Sequence, residues 1–205
     1  MGKTAPVTSR RALLRALTAT PIAVSATVAA PWSEALADLH KRYGDSPAAL
    51  VRTKAGRGLS RFRYHNAESF YQGLEHGLYD SDGGEMLYQS GIVAQLALSS
   101  HLLDVGFADE WNARHIRLDV AKSLAHANAT GFGHDCPDMA RLAAILSPYW
   151  KWGHAHRIDA PCLGNGGFTA GEVRPLLRAL LDRVHDVTGH RRPNGWRRGQ
   201  REARP

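Results

Sequence analysis

Residues 82–131 read DGGEMLYQSGIVAQLALSSHLLDVGFADEWNARHIRLDVAKSLAHANATG. Asp82 with Glu85 three residues later is a capping box, which sets the start of a helix. From Ile92 to Leu98 the run is apolar except for Gln95, and Gly106 stands where a helix C′ glycine belongs. The pattern predicts a helix over 82–105, apolar nearly all round, and such a helix sits in the middle with others packed about it. Past the Val105-Gly106-Phe107 join, a second helix is expected over Asp109–Ala129, with Trp111, Leu118, Ala121 and Ala125 on its inner stripe. Thr130-Gly131-Phe132-Gly133 closes it.

Toward the N-terminus, Asn66 is expected to cap a helix through Leu78 that buries Ala67, Phe70, Tyr71, Leu74 and Leu78. Glu68, Gln72 and Glu75 then form a solvated face beside His76. Arg61-Phe62-Arg63-Tyr64-His65 alternates base and ring, the period of a short extended piece with both rings closing the core edge. Val51–Ser60 reads as a loop. Trp32, Leu36, Leu39 and Tyr43 recur at helical spacing and stop at Gly44. Toward the C-terminus, Pro137 opens a helix whose inner face is Met139, Leu142, Ala143 and Leu146, ended by Pro148. The aromatic segment Tyr149–His156 follows. Thr169 and Glu172 form a second capping box, and Leu176, Leu177, Leu180, Leu181, Val184 and Val187 form a clear stripe, with regular helix expected nearer Pro175.

The fold class predicted is therefore all-α, an irregular bundle of about five helices. Residues 30–189 form the helical domain, and the Arg-rich tail 190–205 is expected to be disordered.

The net charge of +7 invites a nucleic-acid reading, but its distribution argues against one. Of 26 basic residues, ten lie in residues 1–30 and 189–205, with one of the 19 acidic residues; 16 and 18 remain in the body. The basicity sits in the ends, so no specific nucleic acid is expected. Weak contact of the tail with an anionic surface is the most its composition supports.

Residues 1–31 have a basic start, an apolar middle and a small-residue end, the layout of an export signal. Ser9-Arg10-Arg11-Ala12-Leu13-Leu14-Arg15 closely resembles the twin-arginine signal of bacteria. That resemblance implies recognition by the twin-arginine export machinery through Ser9, Arg10, Arg11, Leu13 and Leu14, cleavage near Ala29 and a periplasmic or exported product. It covers the N-terminal segment alone; the alternative is a basic helix retained on a cytoplasmic protein.

Reactive side chains gather in residues 134–162: His134, Asp135, Cys136, His154, His156 and Cys162. One reading is a Cys136–Cys162 disulfide, which an oxidising compartment favours. Another is a divalent-metal site, although the His/Cys spacing fits no finger or knuckle pattern. A third is two unrelated thiols. His134-Asp135, with His101 or His115 before it and Asp182 or Asp186 after it, has the residue order of the HD metal-dependent phosphohydrolases, a thin resemblance that rests on one dipeptide. Tyr149, Trp150 and Trp152 form a candidate aromatic surface. No nucleophile elbow, Walker motif, zincin helix or dinucleotide fingerprint is present. The function expected is a non-enzymatic exported binding or interaction module without a cofactor. The alternatives are an HD-like hydrolase using the His134/Asp135 region and a cytoplasmic polyanion binder using the tail.

Overall fold

The computed structural model describes residues 32–154 and 164–193, and seven α-helices lie among them. Helix α1 is Ser33–Tyr43, ended by Gly44 in the left-handed conformation. Helix α2, Lys54–Glu75, starts where the Thr53 hydroxyl accepts the Gly56 N–H. Helix α3, Gly83–Val105, is capped by the Asp82 carboxylate and stops at Gly106. The short α4, Asp109–Trp111, runs into a π turn over Asn112–Ile116, and α5 is Val120–Ala129. Helix α6, Pro137–Leu146, leads to a 3₁₀ turn over Tyr149–His154, and α7 is Ala170–Thr188.

The apolar run in 82–105 does what such a run must. Fifteen of the 23 residues of α3 are buried, and α2, α5, α6, α7 and the 3₁₀ turn all pack against it. Two glycines allow close approaches to this helix. A Cβ at Gly91 would lie 2.1 Å from the Tyr149 Cβ, so the 3₁₀ turn docks on bare backbone there. Gly106, at φ 113°, has no room for a side chain against the Val51 backbone, whose N–H donates to its carbonyl at 2.9 Å.

Several expectations are corrected. The bundle has seven helices rather than about five, and α2 runs unbroken through the predicted loop, the predicted extended piece and the predicted Asn66 cap. Its buried stripe is Ser60, Tyr64, Ala67, Glu68, Tyr71 and Leu74. Two members of that stripe are polar, which hides its helical period from a hydrophobicity reading. Phe62 is 61 % exposed while Tyr64 is fully buried, so the two rings do not share a face. Phe70 and Leu78 are exposed. Glu68, assigned above to a solvated face, is 0 % exposed and held by Arg178 and Tyr64.

The predicted helix over 109–129 is broken by the π turn, and its buried apolar residues are Ile116, Val120, Leu124 and Ala127 instead of the expected stripe. Helix α7 begins at Ala170 and passes through Pro175. The ordered body continues past Gly189: His190 is buried and its ring is 2.6 Å from the Ser60 hydroxyl, while Arg192 reaches Asp182. The start of the expected disordered tail is thus packed onto α2 and α7.

Candidate functional site

Of the reactive cluster expected in 134–162, the side chains of His134, Asp135 and Cys136 are described. His134, Asp135 and Cys136 precede α6, whereas His154 ends the 3₁₀ turn beyond it. The ten residues of α6 lie between the two groups in the chain. No set of three His, Cys, Asp or Glu side chains disposed to hold a metal occurs among the described residues. His101 is buried, 3.2 Å from the Thr130 hydroxyl, and Asp182 is bonded by Arg178 and Arg192. Cys136 is half-buried at the start of α6. His156 and Cys162, and with them the disulfide expectation, lie outside the described residues, as do Ser9, Arg10, Arg11, Leu13 and Leu14. The aromatic surface reduces to Trp150, 51 % exposed. Trp152 is 4 % exposed and donates its ring N–H to the Ile145 carbonyl, while Tyr149 packs on Gly91 and Tyr88.

The irregular backbone lies instead between α4 and α5. Arg117 N–H bonds the Asn112 carbonyl at 2.9 Å, a five-residue closure that inserts one residue into the helix. Arg117 itself sits at φ 57°, ψ −126°, a conformation that costs a non-glycine residue about 1–3 kcal/mol. Gln95 of α3 holds this residue by donating its amide to the Arg117 carbonyl at 2.6 Å. Asp119 then restarts the helix by accepting the Lys122 N–H. Candidate functional residues lie on both sides of this break.

On the side facing α2 and α3 is a cavity of about 310 Å³ lined by Arg63, Gln95, Ser99, Asp109, Asn112, Arg117 and Ser123, with Leu102, Ala113, Ile116 and Leu118. Arg63 spans it, bonded to the Ser99 hydroxyl and, at 2.5 Å, to Asp109. Asn112 is 5 % exposed and Ser123 1 % exposed, and neither the Asn112 amide nor the Ser123 hydroxyl has a partner among the described residues. A buried polar group left in that state costs about 1–3 kcal/mol.

On the opposite side, the turn after α1 meets the π turn. His115 lies with Nδ1 3.3 Å from Asp45 and Nε2 2.9 Å from the Ser46 hydroxyl. Trp111 stacks on His115 at 4.8 Å and donates its ring N–H to the Ser46 carbonyl. Lys122 places Nζ 2.8 Å from the Asp45 carboxylate and lies over the Tyr43 ring. Beneath them His40, Trp111 and His126 form one ring cluster, with centroids 5.5–5.9 Å apart. Burial lowers the pKa of both His40 and His126. A cavity of about 740 Å³ opens beside Asp45 and Pro47, walled by Trp32, Leu36, Ala37 and Leu50.

Neither side was legible in the sequence. Asp45-Ser46-Pro47 reads as a turn, and nothing local links it to His115, 69 residues on from Ser46. Asn112 carried the one local signal, a weak helix former in what reads as a helix interior. A third cavity, of about 490 Å³, is lined by Arg57, Arg61, His65, Arg191 and Arg192, but Asp104 already pairs with Arg57 and Asp182 with Arg192. Comparison of the chain with protein-family models, curated proteins and solved structures finds no match. Among the described residues no helix is long and apolar enough to cross a membrane.

Proposed function

We propose that this protein is an exported helical module that binds a small polar molecule in the cavity between α2, α3 and the π turn. The buried Asn112 amide supports this reading most directly. Its donor and acceptor have no partner among the described residues, and the residue lines a half-open cavity of mixed polar and apolar walls beside a strained backbone. Two arginines against one aspartate in the lining favour a ligand that carries a carboxylate or another anionic group alongside its amide or hydroxyl functions. A cavity of this volume would alternatively hold about ten waters. The export part of the reading rests on the Ser9–Leu14 resemblance to twin-arginine signals.

One preparation tests both parts. Protein recovered from the periplasmic fraction of the native cells should begin at Ala30 and release, on denaturation, one small molecule in near-equimolar amount. The Asn112→Leu variant, close in volume, should release none. An N-terminus at Met1 or Gly2 on cytoplasmic protein would reject export, and identical small-molecule extracts from both proteins would reject the binding site.

A further inference from the structure

We propose that Asp45, His115 and Ser46 form a hydrolytic relay that cleaves reactive carboxylic esters. The site lies across the π turn from the Asn112 cavity and does not depend on the binding role assigned there. The roles follow from hydrogen-bond capacity. An ionised Asp45 can only accept, so the His115 nitrogen facing it, Nδ1, carries the proton. Nε2 is left with a lone pair directed at the Ser46 hydroxyl 2.9 Å away. A serine hydroxyl donating to an imidazole that is oriented by a carboxylate is the arrangement that activates an oxygen nucleophile, and it is recognised by these roles rather than by chain order.

Access differs among the three. Ser46 is exposed, while the His115 and Asp45 side chains are only 16 % and 6 % exposed. The nucleophile thus faces solvent and its two supports are shielded. Trp111 fixes the nucleophile's own backbone through the Ser46 carbonyl and covers one face of the imidazole. The apolar cavity walled by Trp32, Leu36 and Leu50 reaches Asp45 and Pro47, the residues on either side of Ser46, but Ser46 itself is not part of its wall. Lys122 shares the Asp45 charge, which weakens the support Asp45 gives to an imidazolium. The Nδ1–carboxylate distance of 3.3 Å is also longer than the roughly 2.7–2.9 Å of a charge-assisted bond. Such bonds are commonly long in unliganded sites and tighten as charge develops. Both features point to a slow enzyme that needs a reactive ester.

In the reaction, Ser46 Oγ forms a bond to the ester carbonyl carbon as its proton passes to His115 Nε2. The bond from that carbon to the alcohol oxygen then breaks, and the departing oxygen takes the proton from Nε2. Water adds to the acyl-serine, giving a proton to Nε2. Ser46 leaves with that proton as the carboxylic acid is released, and the site is restored.

The test uses a fluorophosphonate probe and p-nitrophenyl butyrate on the full purified protein. The expected result is one adduct per chain, mapped to Ser46, and ester hydrolysis that falls by roughly 10²–10⁴-fold in His115→Ala, the range lost with a general base. Ser46→Ala, with an unchanged circular dichroism spectrum, should take no label and hydrolyse no faster than free imidazole. Ser46→Cys should regain reactivity toward iodoacetamide that His115→Ala removes, so a folding defect in one variant does not decide the matter. No adduct on Ser46 at saturating probe, or hydrolysis unchanged in Ser46→Ala, would overturn the proposal. Labelling of Ser46 that is indifferent to His115→Ala would equally overturn it, since the hydroxyl would then act without the relay.

Discussion

Glu68 shows how far one residue's setting can depart from its local sequence. Burial pushes its carboxyl pKa up, but hydrogen bonds from Arg178 and from the Tyr64 hydroxyl outweigh burial and hold it below the usual value. Arg178 lies bidentate on Glu68 at 2.7 and 2.8 Å, and its guanidinium also covers the Tyr71 ring. Such a pair adds little to stability over an apolar pair of the same volume, yet breaking it leaves a buried charge alone. Arg178→Met should therefore destabilise the fold by about 3–5 kcal/mol in urea titrations, and the double variant Glu68→Leu/Arg178→Met should recover most of that. A double variant as unstable as the single one would show that the pair supplies more than mutual neutralisation. Nothing within a helical turn of Glu68 announces Arg178, 110 residues away.

At the scale of elements, the segments read correctly are those whose signals are local. Helix α6 buries Met139, Leu142, Ala143 and Leu146 on the face its spacing predicts, and the Thr169–Glu172 capping box forms, although α7 runs from Ala170 rather than from nearer Pro175. Helix α2 and the π turn escaped for opposite reasons. Helix α2 carries polar residues in its buried stripe whose partners include groups on α3 and α7: the Ser100 carbonyl for Ser60, Arg178 for Glu68. The π turn occupies sequence that fits an ordinary helix, and its extra residue is held by Gln95 from another element. Arg117 accordingly holds strain that a glycine would not, while the bond from Gln95 falls on its backbone carbonyl and survives substitution. Arg117→Gly should stabilise the protein by about 1 kcal/mol, the relief of strain less the added freedom of glycine in the unfolded chain. Urea midpoints read this directly, and a loss of stability would show that the Arg117 side chain has a structural role of its own.

For the whole molecule, the histidines set the response to acid. Burial lowers the pKa of His40, His126, His134 and His190, and it takes His101 down to about 4. With folded values below the unfolded value near 6.5, the unfolded chain binds protons first as pH falls. The stability these groups contribute is complete above about pH 6.5 and is lost on descending through the folded values. For His101 that window runs from about 6.5 to 4 and amounts to at most about 3 kcal/mol. Melting temperature should therefore fall steadily between pH 7 and 4, and His101→Gln should flatten part of the slope. A flat profile across that range would exclude buried neutral histidines as the cause.

By itself the sequence determined the all-α class, the central place of 82–105 and the ends of most helices, because apolar period, capping boxes and C′ glycines act within a few residues. It also carried the N-terminal resemblance on which export rests. Tertiary structure alone decided where Glu68 and His190 are buried, where the helix after Gly106 breaks, and that Asp45 and Ser46 meet His115. Each of these depends on polar groups finding partners from distant elements, and burial of such groups is tolerable only once those partners are in place.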